Sequence, residues 1–131
     1  MSYVELDGWR TIPQDICLKS AKKQGNGKIE EYQNWELQTA ISHCAKLRIA
    51  VDIGAHVGIT SFRLSQSFEH VHAYEVNTKL LPSLLYNLDM KKVYNVTRIR
   101  FLNLTPKAPD NYKQIMEKCL EGRGHNILLW Q

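Results

Sequence analysis

The stretch Val51-Asp52-Ile53-Gly54-Ala55-His56-Val57-Gly58 decides how the rest of this 131-residue chain is read. Residues 47–53 form a short, nearly continuous apolar run, the pattern of a strand buried on both faces of a parallel sheet. The run ends in a tight glycine loop, Gly54 to Gly58, and residues 59–67 then read as a compact helix. Glycine at such a corner accepts positive φ and lets a ligand approach the backbone closely. The corner lies at the carboxyl end of its strand, where open α/β sheets bind their ligands.

Working outward, residues 71–75 read as a second strand, with Asn77 and Thr78 as candidate helix caps. A helix over 79–90 follows, with Leu80, Leu81, Leu84, Leu85 and Leu88 on one stripe and Pro82 tolerated in its first turn. Residues 96–102 read as a third strand, Asp110 caps a helix carrying Tyr112, Ile115, Met116, Cys119 and Leu120, and residues 127–130 form a fourth strand. Upstream, residues 28–46 lack Gly and Pro and space Tyr32, Trp35, Ala40, Ile41 and Cys44 helically, which predicts one amphipathic helix. Residues 1–28 read as an irregular lead-in punctuated by Asp7-Gly8, Pro13 and Gly25-Asn26-Gly27, with a short helix over 15–23. The alternation predicts a single α/β domain over 1–131, its core over 29–131, with a parallel sheet and helices on both faces.

Two phosphate-binding readings of the loop fail. A dinucleotide fingerprint starting at Gly54 requires glycine at 56 and glycine or alanine at 59, where this chain has His56 and Ile59. A Walker loop requires Gly-Lys-Ser/Thr, and Gly58 is followed by Ile59-Thr60. Asp52, just ahead of the loop, disfavours an anion and suits a ligand with a cationic end. Glu75, 23 positions later at the end of the next strand, stands where nucleotide sites place a carboxylate for ribose hydroxyls. A cationic amino-acid end and a ribose, bridged by a glycine loop, describe S-adenosyl-L-methionine.

The same residues carry a resemblance. Residues 51–58 resemble the first motif of class I S-adenosylmethionine-dependent methyltransferases, and Ala73-Tyr74-Glu75 resembles their acidic second motif. Within that class the wording is most similar to the FkbM-type methyltransferases, with Val76 in place of the usual proline and Asn87-Leu88 in place of the family's Asn-Leu pair. The resemblance covers about residues 30–104 and weakens on either side. It implies a Rossmann-like sheet of order 3-2-1-4, truncated relative to the seven strands of the complete fold. It also implies methyl transfer to a hydroxyl oxygen of a small-molecule acceptor. The implied cofactor-binding set is Asp52, Gly54, Ala55, His56, Gly58, Thr60, Glu75 and Asn77; no catalytic base stands out. Tyr3, Trp9, Tyr32 and Trp35 are candidates for an acceptor pocket, with Trp35 alternatively packing its helix on the sheet. A non-catalytic cofactor-binding or protein-interaction module derived from such an enzyme is the competing reading.

Composition narrows the field further. The net charge is +4 with a pI near 9, and the densest basic cluster, Lys19, Lys22, Lys23 and Lys28, has no interleaved aromatics. That argues against a nucleic-acid surface. Cys17, Cys44 and Cys119 are far apart in sequence and form no CxxC, so neither a disulfide framework nor a metal site is expected. Neither a signal-peptide layout nor a membrane-length apolar run is present, which makes a cytoplasmic protein the expectation. Residues 127–130, apolar and without Lys or Pro, form a sheet edge expected to recruit a second copy, giving a homo-oligomer.

Overall fold

A computed structural model describes residues 2–100 and 127–130. The first 28 residues are more ordered than their sequence suggests. Strands β1 (Val4–Leu6) and β2 (Trp9–Thr11) pair antiparallel as a hairpin. The turn is Asp7-Gly8, both at positive φ (+50° and +83°), the Asp-Gly signature of a tight hairpin. The irregular lead-in is therefore corrected: two three-residue strands are too short for their period to stand out, yet Trp9 and Thr11 alternate inward and are fully buried. Helix α1 (Cys17–Gln24) follows, burying Leu18 and Ala21.

The single helix expected over 28–46 is also corrected. Ile29–Glu31 forms one 3₁₀ turn, Gln33 adopts a left-handed conformation (φ +52°), and α2 runs only over Asn34–Ser42. The break has a tertiary cause. Arg63 donates one guanidinium nitrogen to the Glu30 carbonyl and another to Asn34 Oδ1 at 2.6 Å, which fixes the chain on both sides of the turn. Leu37, rather than Trp35, is the buried residue of α2.

Strand β3 (Ile49–Ile53), helix α3 (Ile59–Ser67), strand β4 (His70–Glu75), helix α4 (Leu81–Met90) and strand β5 (Val96–Arg100) then alternate, and β6 (Ile127–Trp130) completes the sheet. All four of these strands are parallel, in the order β5-β4-β3-β6. Every residue of β3 is buried, as its unbroken apolar run requires. The helix read over 110–120 lies outside the described residues.

Side chains alternate across each strand, so Ala50 and Asp52 of β3 share a face with their register partners Val71 and Ala73 of β4. Leu37 of α2, Leu64 of α3, and Leu84 and Leu88 of α4 pack against that face. Each of these leucines is almost wholly buried and contributes about 1.5–3 kcal/mol. The opposite face carries Ile49, Val51, Ile53 and Tyr74, also buried. A second cluster joins the N-terminal segment to the sheet corner, with Trp9, Leu18, Ala21 and Ile29 against Val57, Ile59 and Leu80. That cluster brings α1 over the glycine loop. Among the described residues no helix is long and apolar enough to cross a membrane.

Candidate functional site

The loop between β3 and α3 turns on three left-handed residues: Gly54 (φ +80°), His56 (φ +57°) and Gly58 (φ +96°). Gly58 has a second reason to be glycine, because a Cβ there would lie 2.9 Å from Leu84 Cδ1. Gly54 opens onto free space, and its constraint is conformational alone. The amides of Gly54 and Ala55 both donate to the Tyr74 carbonyl at 2.8 Å, so the last carbonyl before Glu75 anchors the loop's first half.

Glu75 anchors the next segment. It is only 5% exposed; its Oε1 accepts the His56 amide at 2.7 Å and its Oε2 accepts the Asn77 amide at 2.8 Å. Asn77 in turn accepts the Lys79 amide at 3.0 Å, a turn ahead of α4 rather than a cap on its first residue. Behind the loop, fully buried Asn87 of α4 donates to the Val57 carbonyl at 2.8 Å.

Asp52 is 1% exposed and accepts the Ser61 hydroxyl at 2.6 Å. Burial pushes its carboxyl up to about 7; the Ser61 hydrogen bond opposes that and the Glu75 charge adds to it. The group is therefore poised between neutral and ionised near physiological pH, and a nearby cation would draw it to the charged form.

A cavity of about 280 Å³ lies between the loop and the N-terminal segment. Of the residues expected to bind cofactor, Asp52, Gly54, Ala55, His56 and Thr60 line it; Gly58, Glu75 and Asn77 do not, and support the loop from behind or beside it. The far wall carries Cys17, Ser20, Ala21, Tyr32 and Gln33. Of the aromatic residues considered for an acceptor pocket, only Tyr32 lines this cavity. Trp9 is buried against Phe62, with its indole N–H on Glu30, and Tyr3 stacks on Arg10. Trp35 is 75% exposed, neither lining this cavity nor packing on the sheet.

The structure also assembles a group that sequence spacing did not announce. His56 Nε2 lies 3.2 Å from Asp15 Oδ2, and Cys17 stands beside them. Asp15 Oδ2 accepts the Thr11 hydroxyl at 2.8 Å and Oδ1 accepts the Cys17 amide at 2.9 Å. Burial pushes the Asp15 carboxyl up, but the hydrogen bonds from Thr11 and Cys17 outweigh it and hold the group below its ordinary value. The Cys17 thiol moves the other way: burial, then the Asp15 hydrogen bond and charge, push it to about 12. Asp15 and Cys17 lie far from His56 along the chain, and the three positions match no ligand spacing that a sequence pattern would reveal.

No protein-family model matches the sequence, and no curated protein matches it. Solved structures do. An rRNA methylase from Streptococcus thermophilus superposes with a TM-score of 0.50 at 17% identity, over 72% of this chain and 68% of that one. The fold is methyltransferase-like. Trm5b from Pyrococcus abyssi is similar over 52% of this chain and 21% of its own, at 26% identity and a TM-score of 0.46. A Streptococcus mutans protein described as a putative methyltransferase, in complex with SAH, matches over 50% of this chain and 38% of its own, at 23% identity and a TM-score of 0.46. The chain thus spans well under half the length of these last two proteins.

Proposed function

We propose that this chain binds S-adenosyl-L-methionine at the glycine loop and serves methyl transfer to a hydroxyl oxygen, in the manner of the FkbM-type enzymes its motifs resemble. The observation that carries the reading is the pairing of the 54–58 loop with Glu75 across two adjacent parallel strands, above a cavity floored by Asp52. The donor set fits the ligand. Gly54 leaves open space where a side chain would stand, and Asp52 offers a carboxylate that a sulfonium or ammonium would hold ionised. Each Glu75 oxygen accepts one backbone amide and retains a second acceptor site, which a ribose hydroxyl would meet only from outside the lining of this cavity. The methyltransferase sheet order 3-2-1-4 belongs to the same proposal.

When bound, the cofactor supplies an electrophilic methyl on a sulfonium. The chain's own part would be positioning: the loop lines one side of the cavity and Tyr32 and Gln33 the other, and an acceptor would be oriented between them. Calorimetry with S-adenosylhomocysteine tests the reading. One-to-one binding is expected, weakened by about 1–3 kcal/mol in Glu75→Ala. Absence of both heat and thermal shift with either form of the cofactor would overturn it. Binding without turnover of labelled cofactor across a panel of hydroxylated acceptors would favour the non-catalytic module instead.

A further inference from the structure

Asp15, Cys17 and His56 bring one oxygen, one sulfur and one nitrogen donor to a single point, all within 4.8 Å of one another. A tetrahedral zinc ion with bonds of about 2.0–2.1 Å to O and N and about 2.3 Å to S spaces its ligands by roughly 3.3–3.6 Å. Asp15 Oδ2 and His56 Nε2, at 3.2 Å, already stand at that spacing. The thiol needs a shift of at most about 1.2 Å to reach that spacing.

The three residues are held from outside as ligands are. Thr11 bonds the Asp15 oxygen that faces His56, and the Cys17 amide bonds the other oxygen, so the carboxylate cannot swing away. Glu75 fixes His56 by accepting its backbone amide at 2.7 Å. Cys17 and His56 both line the cavity, so a fourth coordination position would face it. A carboxylate and a thiolate together balance a divalent charge. A mixed oxygen, nitrogen and sulfur set suits a borderline cation and disfavours magnesium or calcium, which take oxygen alone.

We propose that Asp15, Cys17 and His56 form a three-ligand site for a divalent cation of the zinc class, open toward the cavity beside the glycine loop. Binding is a ligand exchange with no redox change: the cation takes the Cys17 sulfur as thiolate and the thiol proton leaves to solvent. An open position there would receive an oxygen of whatever enters the cavity and lower the pKa of a coordinated hydroxyl. The proposal does not depend on the cofactor reading.

Titration of the full chain with zinc chloride should show one-to-one uptake at micromolar metal. Cobalt(II) should give an intense near-ultraviolet thiolate charge-transfer band. Cys17→Ser should abolish that band, and Asp15→Asn should weaken zinc binding at least about tenfold. In the unmodified protein, zinc binding should release about one proton from the Cys17 thiol, read as acidification of a weakly buffered solution, a readout that requires no variant to fold. No uptake at micromolar metal, a cobalt band that survives Cys17→Ser, or zinc binding without proton release would each overturn the site.

Discussion

Asn87 pairs with both backbone polar groups of Arg10, 77 positions away: its Oδ1 accepts the Arg10 amide at 2.8 Å and its Nδ2 donates to the Arg10 carbonyl at 2.9 Å. The same Nδ2 donates to the Val57 carbonyl. One side chain on α4 thereby completes the open edge of β2 and ties it to the glycine loop. The Arg10 guanidinium, meanwhile, is stacked between the rings of Tyr3 and Tyr86, at 3.6 and 3.4 Å. The N-terminal hairpin is thus fastened to the sheet corner by amide pairing within and cation–π contact at the surface.

Replacing Asn87 by leucine keeps the volume and removes all three bonds, taking this partner from the buried Val57 carbonyl and from the half-buried Arg10 amide and carbonyl. About 3 kcal/mol of stability should be lost, read as a lower denaturant midpoint with an unchanged slope. Arg10→Lys, which keeps charge and backbone pairing but not the planar stack, should shift the midpoint much less. Equal losses in the two variants would mean that the amide pairing is not what fastens the hairpin.

This contact explains what the sequence showed and what it hid. The strand-loop-helix corner over 47–67 was legible because β3 is buried throughout and because glycine is required at 54 and 58 for local reasons. Asn87 stood out only as part of a family-like Asn-Leu pair; its work depends on Arg10 and Val57, which no local pattern connects. The hairpin is hidden in sequence because three-residue strands carry no readable period, and the break at Gln33 because Arg63 imposes it from another helix. Asp15 and Cys17 likewise gain their meaning only when α1 folds over the loop.

The two loop glycines should respond differently to alanine. Gly54→Ala incurs the cost of left-handed backbone alone, about 1–2 kcal/mol, because open space surrounds the new methyl. Gly58→Ala adds a 2.9 Å clash with the Leu84 Cδ1 methyl, which must shift within a buried cluster. Thermal unfolding should therefore rank Gly58→Ala as the less stable variant. Cofactor affinity should rank them the other way, since a methyl at 54 enters the open space offered to the ligand.

Asp52 predicts a pH dependence. Its folded-state pKa, about 7, lies above the ordinary carboxylate value of about 3.9. The folded chain therefore binds this proton more tightly than the unfolded one, and the resulting stability is fully present below about pH 4 and lost as pH rises through about 7. Unfolding free energies should fall across that window by up to a few kcal/mol more in the parent than in Asp52→Asn, which carries no titrating group there. Parallel profiles for the two proteins would mean that Asp52 stays ionised in the fold.

The last prediction separates the structural work of Glu75 from any role in holding a ligand. Both carboxylate oxygens accept backbone amides, from His56 and from Asn77, so the site needs two acceptors. Glutamine offers one oxygen and one NH₂ group, and whichever way its amide is turned, a donor faces a donor. Glu75→Gln should therefore destabilise the protein without cofactor by about 2 kcal/mol despite its nearly identical shape. Glu75→Ala also leaves both amides without their acceptor, but it opens a space that water can enter to satisfy them. If Glu75 served only a ligand, both variants would match the parent in thermal unfolding without cofactor and differ only in binding. A lowered melting temperature in Glu75→Gln, measured before any cofactor is added, would show that the carboxylate first builds the loop.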